Sequence, residues 1–208
     1  MIVLVGAIIL EGKSQNSGLK YLALGDSYTI GESVAEHERW PNQLAYKLGF
    51  AKPLIVATTG WRTDNLTNAI SIAKLKGEYD LVSLLIGVNN QYQGKPIGQY
   101  SIEFEALLNT SIRLAKGNKE NVFVVSIPDY GFTPFGMRNK EKISLEIDQF
   151  NEVAKRICAK LKVNYINITD ISREALNDKS LVAPDGLHPS GKMYALWAAR
   201  IAEVLNLK

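Results

Sequence analysis

An apolar run, Leu22-Ala23-Leu24, leads directly into Gly25-Asp26-Ser27, so a serine hydroxyl stands where a buried strand would end. That hydroxyl is a weak nucleophile until a base takes its proton, and the anion formed on attacking a carbonyl needs fixed hydrogen-bond donors. Chemistry at Ser27 therefore calls for a histidine, an acid to orient it, and neutral donors elsewhere in the chain. Two histidines are available, His37 and His188. His37 lies in Glu36-His37-Glu38-Arg39, a charged run that reads as a solvated face. His188 has Asp185 three residues before it, within the turn-forming stretch Ala183-Pro184-Asp185-Gly186-Leu187-His188-Pro189. This spacing lets a carboxylate accept the Nδ1 proton and leaves Nε2 for the serine. Pro189 also biases His188 toward an extended backbone. Taken in isolation, the same residues fit a structural role better, with Asp185 and Ser190 as turn and N-cap residues and His188 on the surface.

Two further residues have the chemistry of oxyanion donors. Gly60, after the apolar segment Leu54 to Ala57, has no side chain to keep an anion from its N–H. Asn89, after Leu81 to Ile86, offers a carboxamide that does not titrate. Each also fits as a turn residue, as does Asn90.

These residues need a scaffold. Tyr21 to Leu24, Leu54 to Ala57, Leu81 to Ile86, Val122 to Ile127 and Val163 to Ile168 are short runs rich in Val, Ile and Leu, as in strands buried on both faces. Helical periodicity fills the intervals. Ile143, Ile147, Phe150, Ala154, Ile157 and Leu161 form one apolar stripe, and Phe104, Leu107, Leu108, Ser111 and Ala115 another. Met193, Leu196, Trp197, Ile201, Val204 and Leu205 form a third. Strands alternating with helices imply right-handed crossovers. The expected fold is a three-layer, flavodoxin-like α/β domain with a five-stranded parallel sheet flanked by helices. Such sheets carry their functional residues in loops at the carboxyl ends of the strands, where Ser27, Gly60 and Asn89 all fall.

Composition narrows the rest. With 46% hydrophobic residues in 208, the chain suits one domain over residues 19–208. Its 24 basic and 21 acidic residues are dispersed, and the densest basic stretch, Lys155 to Lys162, alternates with apolar residues as a solvated helix face does. Nucleic acid is therefore not an expected partner. Cys158 has no second thiol to pair with and reads as core filler. Two distant histidines and no cysteine cluster supply no metal-ligand set, and no cofactor is expected. No stretch approaches the ~20 apolar residues of a spanning helix. Residues 1–18 begin with an apolar run, Met1 to Leu10, of the length found in export signals, but no basic segment precedes it. An export-signal remnant and an ordinary strand or tail both fit, so the compartment stays open between extracytoplasmic and cytoplasmic, as does the oligomeric state. Gly6 to Ser14 ends in Gly12-Lys13-Ser14, but five residues separate its glycines where a P-loop has four. No Gly-x-Ser-x-Gly elbow of the classical α/β-hydrolases occurs.

Taken together, Gly25-Asp26-Ser27, Gly60, Gly87-Val88-Asn89-Asn90 and Asp185-Gly186-Leu187-His188 resemble, in order, the four blocks of the SGNH, or GDSL-type, hydrolase superfamily. The resemblance implies Ser27 as nucleophile, His188 as base and Asp185 as the acid that orients it. It also implies an oxyanion hole from the Ser27 and Gly60 N–H groups and the Asn89 side chain. Two positions depart from the pattern: Asn90 stands where Asp is common, and Tyr28 where Leu is usual. The activity implied is hydrolysis of a small-molecule carboxylic ester through an acyl-enzyme. Short-chain acyl esters, such as O-acetyl groups on carbohydrate, are the expected substrates, with lysophospholipids and acyl thioesters as alternatives, and a non-catalytic binding module of the same fold as a rival. Trp61, Asn90, Tyr92, Tyr130, Phe132 and Phe135 lie in loops on the active edge and are the candidates for a substrate pocket; packing of these aromatics against the sheet is the competing reading.

Overall fold

A computed structural model of the chain describes residues 18–206. The N-terminal segment and its Gly12-Lys13-Ser14 triplet lie outside the described residues, Gly18 excepted. Five strands, β1 (Tyr21–Gly25), β2 (Leu54–Ala57), β3 (Leu81–Leu85), β4 (Val122–Val125) and β5 (Asn164–Ile166), form one sheet. All pairings are parallel, in the order β2-β1-β3-β4-β5. The three inner strands are buried at every residue, whereas β2 and β5 begin on exposed residues, as edge strands do. The last expected strand, Val163 to Ile168, pairs only over Asn164–Ile166.

Among the described residues, eight α-helices accompany the sheet: α1 (Ser27–Ile30), α2 (Trp40–Leu48), α3 (Thr63–Ala73), α4 (Val88–Tyr92), α5 (Ile97–Leu114), α6 (Lys140–Leu161), α7 (Thr169–Arg173) and α8 (Gly191–Leu205). The chain steps one way from β1 to β2 and the other way from β2 through β5. Right-handed crossovers therefore put α2 on one face and α3, α5 and α6 on the other. The packing agrees: α2 lies against α8, while α3, α5 and α6 pack in sequence. Trp40 of α2 and Trp197 of α8 are fully buried in the first layer. The predicted stripes of α5 and α6 are buried apart from the half-buried Leu161, and Cys158 is sealed among them, its thiol pushed up to about 12 by burial. The third stripe differs. The buried arc of α8 is centred on Tyr194, Trp197, Ala198 and Ile201, which turns Leu196 and Val204 out to solvent.

Register fixes where the site can be. Gly25 is paired with Ala57 on one side and Leu85 on the other, so the chain leaves β1, β2 and β3 at the same level. The segments that follow, which carry Ser27, Gly60 and Asn89, emerge side by side. At this level β1 must be glycine: a Cβ on Gly25 would come within 2.1 Å of Thr29 Oγ1 and 2.6 Å of Leu85 O.

Candidate active site

Ser27 opens α1, directly after Asp26, which caps the turn by accepting the Tyr28 N–H on Oδ1 at 3.0 Å. As the first helical residue, Ser27 has an N–H with no acceptor inside the helix. Asp26 is fully buried, and among the described residues its Oδ2 has no hydrogen-bond partner. Desolvation pushes its carboxyl up to about 7, against the opposing pull of backbone N–H groups.

The turn after β2 brings Gly60 to φ +83, a left-handed conformation that disfavours a side chain. A Cβ there would meet no atom within 4 Å, so the glycine answers a backbone requirement and not a steric one. After β3, Asn89 donates one Nδ2 hydrogen to Trp61 O at 3.0 Å, tying the second and third loops together. A carboxamide carries two such hydrogens, so the bond orients the group and leaves one donor.

Asn90 does something different. Its side chain is 1% exposed, its Oδ1 accepts the Thr63 N–H at 3.1 Å, and its Nδ2 donates to Thr63 Oγ1 at 2.7 Å. Thr63 Oγ1 in turn donates to Glu103. With its one proton committed to Glu103, the threonine hydroxyl needs a donor from position 90. An amide supplies it and a carboxylate does not, which is a physical reason for Asn at a position where Asp is common.

The fourth loop is closed by a bridge between Val182 and Pro189 and by Ala183 N–H donating to His188 O at 2.8 Å. Asp185 Oδ1 accepts the N–H groups of Leu187 and His188, each at 2.9 Å, and Oδ2 lies 2.6 Å from His188 Nδ1. Burial raises the Asp185 carboxyl. Hydrogen bonds from Ser33, the His188 ring and the two N–H groups outweigh it and hold the carboxyl well below the usual carboxylate range. An ionised acceptor at Nδ1 keeps the ring proton there and leaves Nε2 with a lone pair. The Tyr28 ring stands edge-on to the imidazole, centroids 5.7 Å apart, and is itself backed by Trp197 at 6.4 Å. The bulky residue after Ser27 thus forms a wall for the histidine.

Ser33 was not legible in the sequence. Its Oγ donates to Asp185 Oδ2 at 2.6 Å, across 152 positions of chain, from a backbone at φ +66. No periodicity or motif marks it.

Ser27, Gly60, Asn89 and His188 line one cleft of about 180 Å³, with Asp185 behind His188. Among the described residues no hydrogen bond joins Ser27 to His188; such contacts are often long before substrate arrives. Tyr92, Tyr130 and Phe135 wall the same cleft, with each pair of ring centroids 6.2 Å apart. Trp61, Asn90 and Phe132 do not line it. Trp61 packs against the core and offers the cleft only its carbonyl's hold on Asn89. In the 3₁₀ turn Tyr130–Phe132, successive side chains point about 120° apart. Tyr130 therefore faces the cleft while Phe132 lies under the Lys140 ammonium, 4.4 Å from the ring centroid. His37 is exposed in a separate turn and is not part of the site.

Residues 23–196 match the model of the GDSL-like lipase/acylhydrolase family. The chain belongs to that family. It is, accordingly, a carboxylic ester hydrolase of GDSL type, acting on small-molecule esters. No curated protein sequence matches the chain. Among solved structures, a member of the lipolytic G-D-S-L family from Veillonella parvula is similar at TM-score 0.71 and 19% identity, over 90% of this chain and 98% of that one. Axe2, an acetylxylan esterase from Geobacillus stearothermophilus, is similar at TM-score 0.72 and 17% identity, over 94% and 98%. The psychrotrophic esterase EstA from Pseudoalteromonas sp. is similar at TM-score 0.67 and 17% identity, over 90% and 96%. At these identities the likenesses establish the shared fold. Among the described residues no helix is long and apolar enough to cross a membrane.

Proposed function

We propose that this GDSL-type esterase cleaves short-chain acyl esters, with Ser27 as nucleophile, His188 as general base and Asp185 as the acid that orients it. The observation that carries the reading is the convergence of Ser27, Gly60, Asn89 and an Asp185-bound His188 on one small cleft. Ser27 Oγ attacks the ester carbonyl as His188 Nε2 takes its proton. The resulting oxyanion is met by the N–H groups of Ser27 and Gly60 and by the free Asn89 Nδ2 hydrogen. His188 then gives its proton to the departing alcohol, leaving an acyl group on Ser27. Water, deprotonated by the same histidine, releases the acid and restores the hydroxyl.

Cleft size supports the short acyl chain. About 180 Å³ lies below the ~300 Å³ at which drug-sized ligand sites begin. The fold shared with an acetylxylan esterase points in the same direction. Intact-mass measurement after fluorophosphonate treatment should show one adduct on the wild type and none on Ser27→Ala. In parallel, nitrophenyl acetate should be hydrolysed faster than nitrophenyl decanoate. A labelled Ser27→Ala protein would remove the nucleophile assignment, and a preference for decanoate would remove the acyl-length assignment.

A further inference from the structure

Beyond the aromatic wall lies a second cleft, of about 430 Å³, which shares Tyr92, Tyr130 and Phe135 with the first. Its far side has a different character. Gln91 from α4, Asn139 from the turn before α6, and Lys142 and Glu146 from α6 present amides, an ammonium and a carboxylate. From this arrangement we infer that the second cleft holds the alcohol portion of the ester, and that this alcohol is a sugar with free hydroxyl groups. The inference rests on the ester-hydrolase reading and extends it to the substrate's other half.

Three features converge on a sugar. The rim is aromatic and open to solvent: Tyr92 is 59% and Phe135 52% exposed, large ring surfaces of the kind that cover the C–H face of a pyranose. The far side is polar, and a long acyl chain laid there would strip water from the Lys142 and Glu146 charges, 3.8 Å apart, without replacing it. A polyol brings its own hydrogen bonds. Lastly, the carboxylate is held in place from the active-site side. Tyr130 donates its hydroxyl proton to Gln91 Oε1 at 3.0 Å, and Gln91 Nε2 donates to Glu146 Oε2 at 2.7 Å. Gln91 is 7% exposed, so both ends of a buried amide are committed to orienting one carboxylate at the cleft edge. Glu146 keeps acceptor capacity on both oxygens, a match for adjacent hydroxyls. A ring seated there lies one aromatic side chain away from the cleft that contains Ser27.

The test compares the kcat/KM for mono-O-acetylglucoses, which keep free hydroxyls, with that for ethyl acetate, which has none. The wild-type ratio should favour the sugar esters, and Glu146→Ala should lower the ratio about ten-fold or more, chiefly through KM, as expected for loss of hydrogen bonds to a charged group. Glucose pentaacetate, with every hydroxyl blocked, should show no such loss. An unchanged ratio in Glu146→Ala, or an equal fall for glucose pentaacetate, overturns the inference. Should Glu146→Ala fail to fold, Lys142→Ala on the exposed side of the same cleft carries the comparison. Saturation-transfer NMR with methyl glucoside on Ser27→Ala protein reads the subsite without hydrolysis: a signal lost on adding Glu146→Ala supports the subsite, and no signal overturns it. Failure of the underlying reading looks different, since the wild type would then neither turn over nitrophenyl acetate nor take a fluorophosphonate.

Discussion

Ser33 illustrates how a residue can serve a site without entering it. Its hydroxyl and the His188 ring share one oxygen of Asp185, so the carboxylate that would orient the base is itself held from a third direction. The backbone that delivers the hydroxyl is left-handed, a conformation costing a non-glycine residue ~1 kcal/mol or more. Retaining it at Ser33 implies that the hydrogen bond outweighs the strain. Ser33→Ala should lower kcat/KM on nitrophenyl acetate by about three- to ten-fold, because water reaches this exposed position and replaces part of the bond. Ser33→Gly should lose as much activity while melting at a higher temperature than Ser33→Ala, since glycine relieves the strain but not the missing donor. Full activity in Ser33→Ala would show that Asp185 needs no such support.

At the scale of elements, the site is a consequence of register. Ser27, Gly60 and Asn89 meet because β1, β2 and β3 end level, and this much follows from reading three apolar runs with turn residues behind them. What holds the ends together does not follow from such a reading. The Asn90–Thr63–Glu103 chain joins the start of α4 to α3 and α5 through one shared hydroxyl proton. Asn90→Asp would put a second acceptor on that proton and a second carboxylate beside Glu103. It should cost about 1–3 kcal/mol in denaturant unfolding, and Glu103→Gln should restore part of it. A double-mutant cycle with coupling above ~0.5 kcal/mol is the expected result, and strict additivity would dissolve the explanation for Asn at this position. The aromatics show the same boundary of legibility. Tyr130 and Phe132 look alike in sequence, yet a 3₁₀ turn sends one into the cleft and the other under Lys140.

Across the whole molecule, what was legible is local in sequence: the five strands, the stripes of α5 and α6, and the short-range pair Asp185 and His188. What was not legible depends on distant segments meeting, as with Ser33 and Asp185, Gln91 and Glu146, or α8 turning Leu196 outward to seat Tyr194 against the core. Asp26 belongs to both classes, since its place in Gly-Asp-Ser is plain while its burial beneath the sheet's edge is not. That burial couples the fold to pH. Its carboxyl, ordinarily near 3.8, is raised to about 7 in the folded protein, so the folded state holds a proton that the unfolded chain has released. Stability contributed at Asp26 therefore declines as pH rises from ~4 through ~7. Asp185 acts in the opposite sense: its lowered carboxyl contributes stability above ~4 that is lost as pH falls through the folded value. Asn is a good N-cap and carries no charge to desolvate, so Asp26→Asn should keep the turn while removing the alkaline penalty. The variant should be more stable than the wild type at pH 8, by an amount on the order of 1 kcal/mol for each unit of raised pKa it relieves. The two should converge in melting temperature only near pH ~3, below the unfolded-state value, where the carboxyl is protonated in both the folded and the unfolded chain. A stability difference that does not change between pH 5 and pH 8 would mean that Asp26 is ionised in the fold, with its unpaired Oδ2 satisfied by a donor such as bound water.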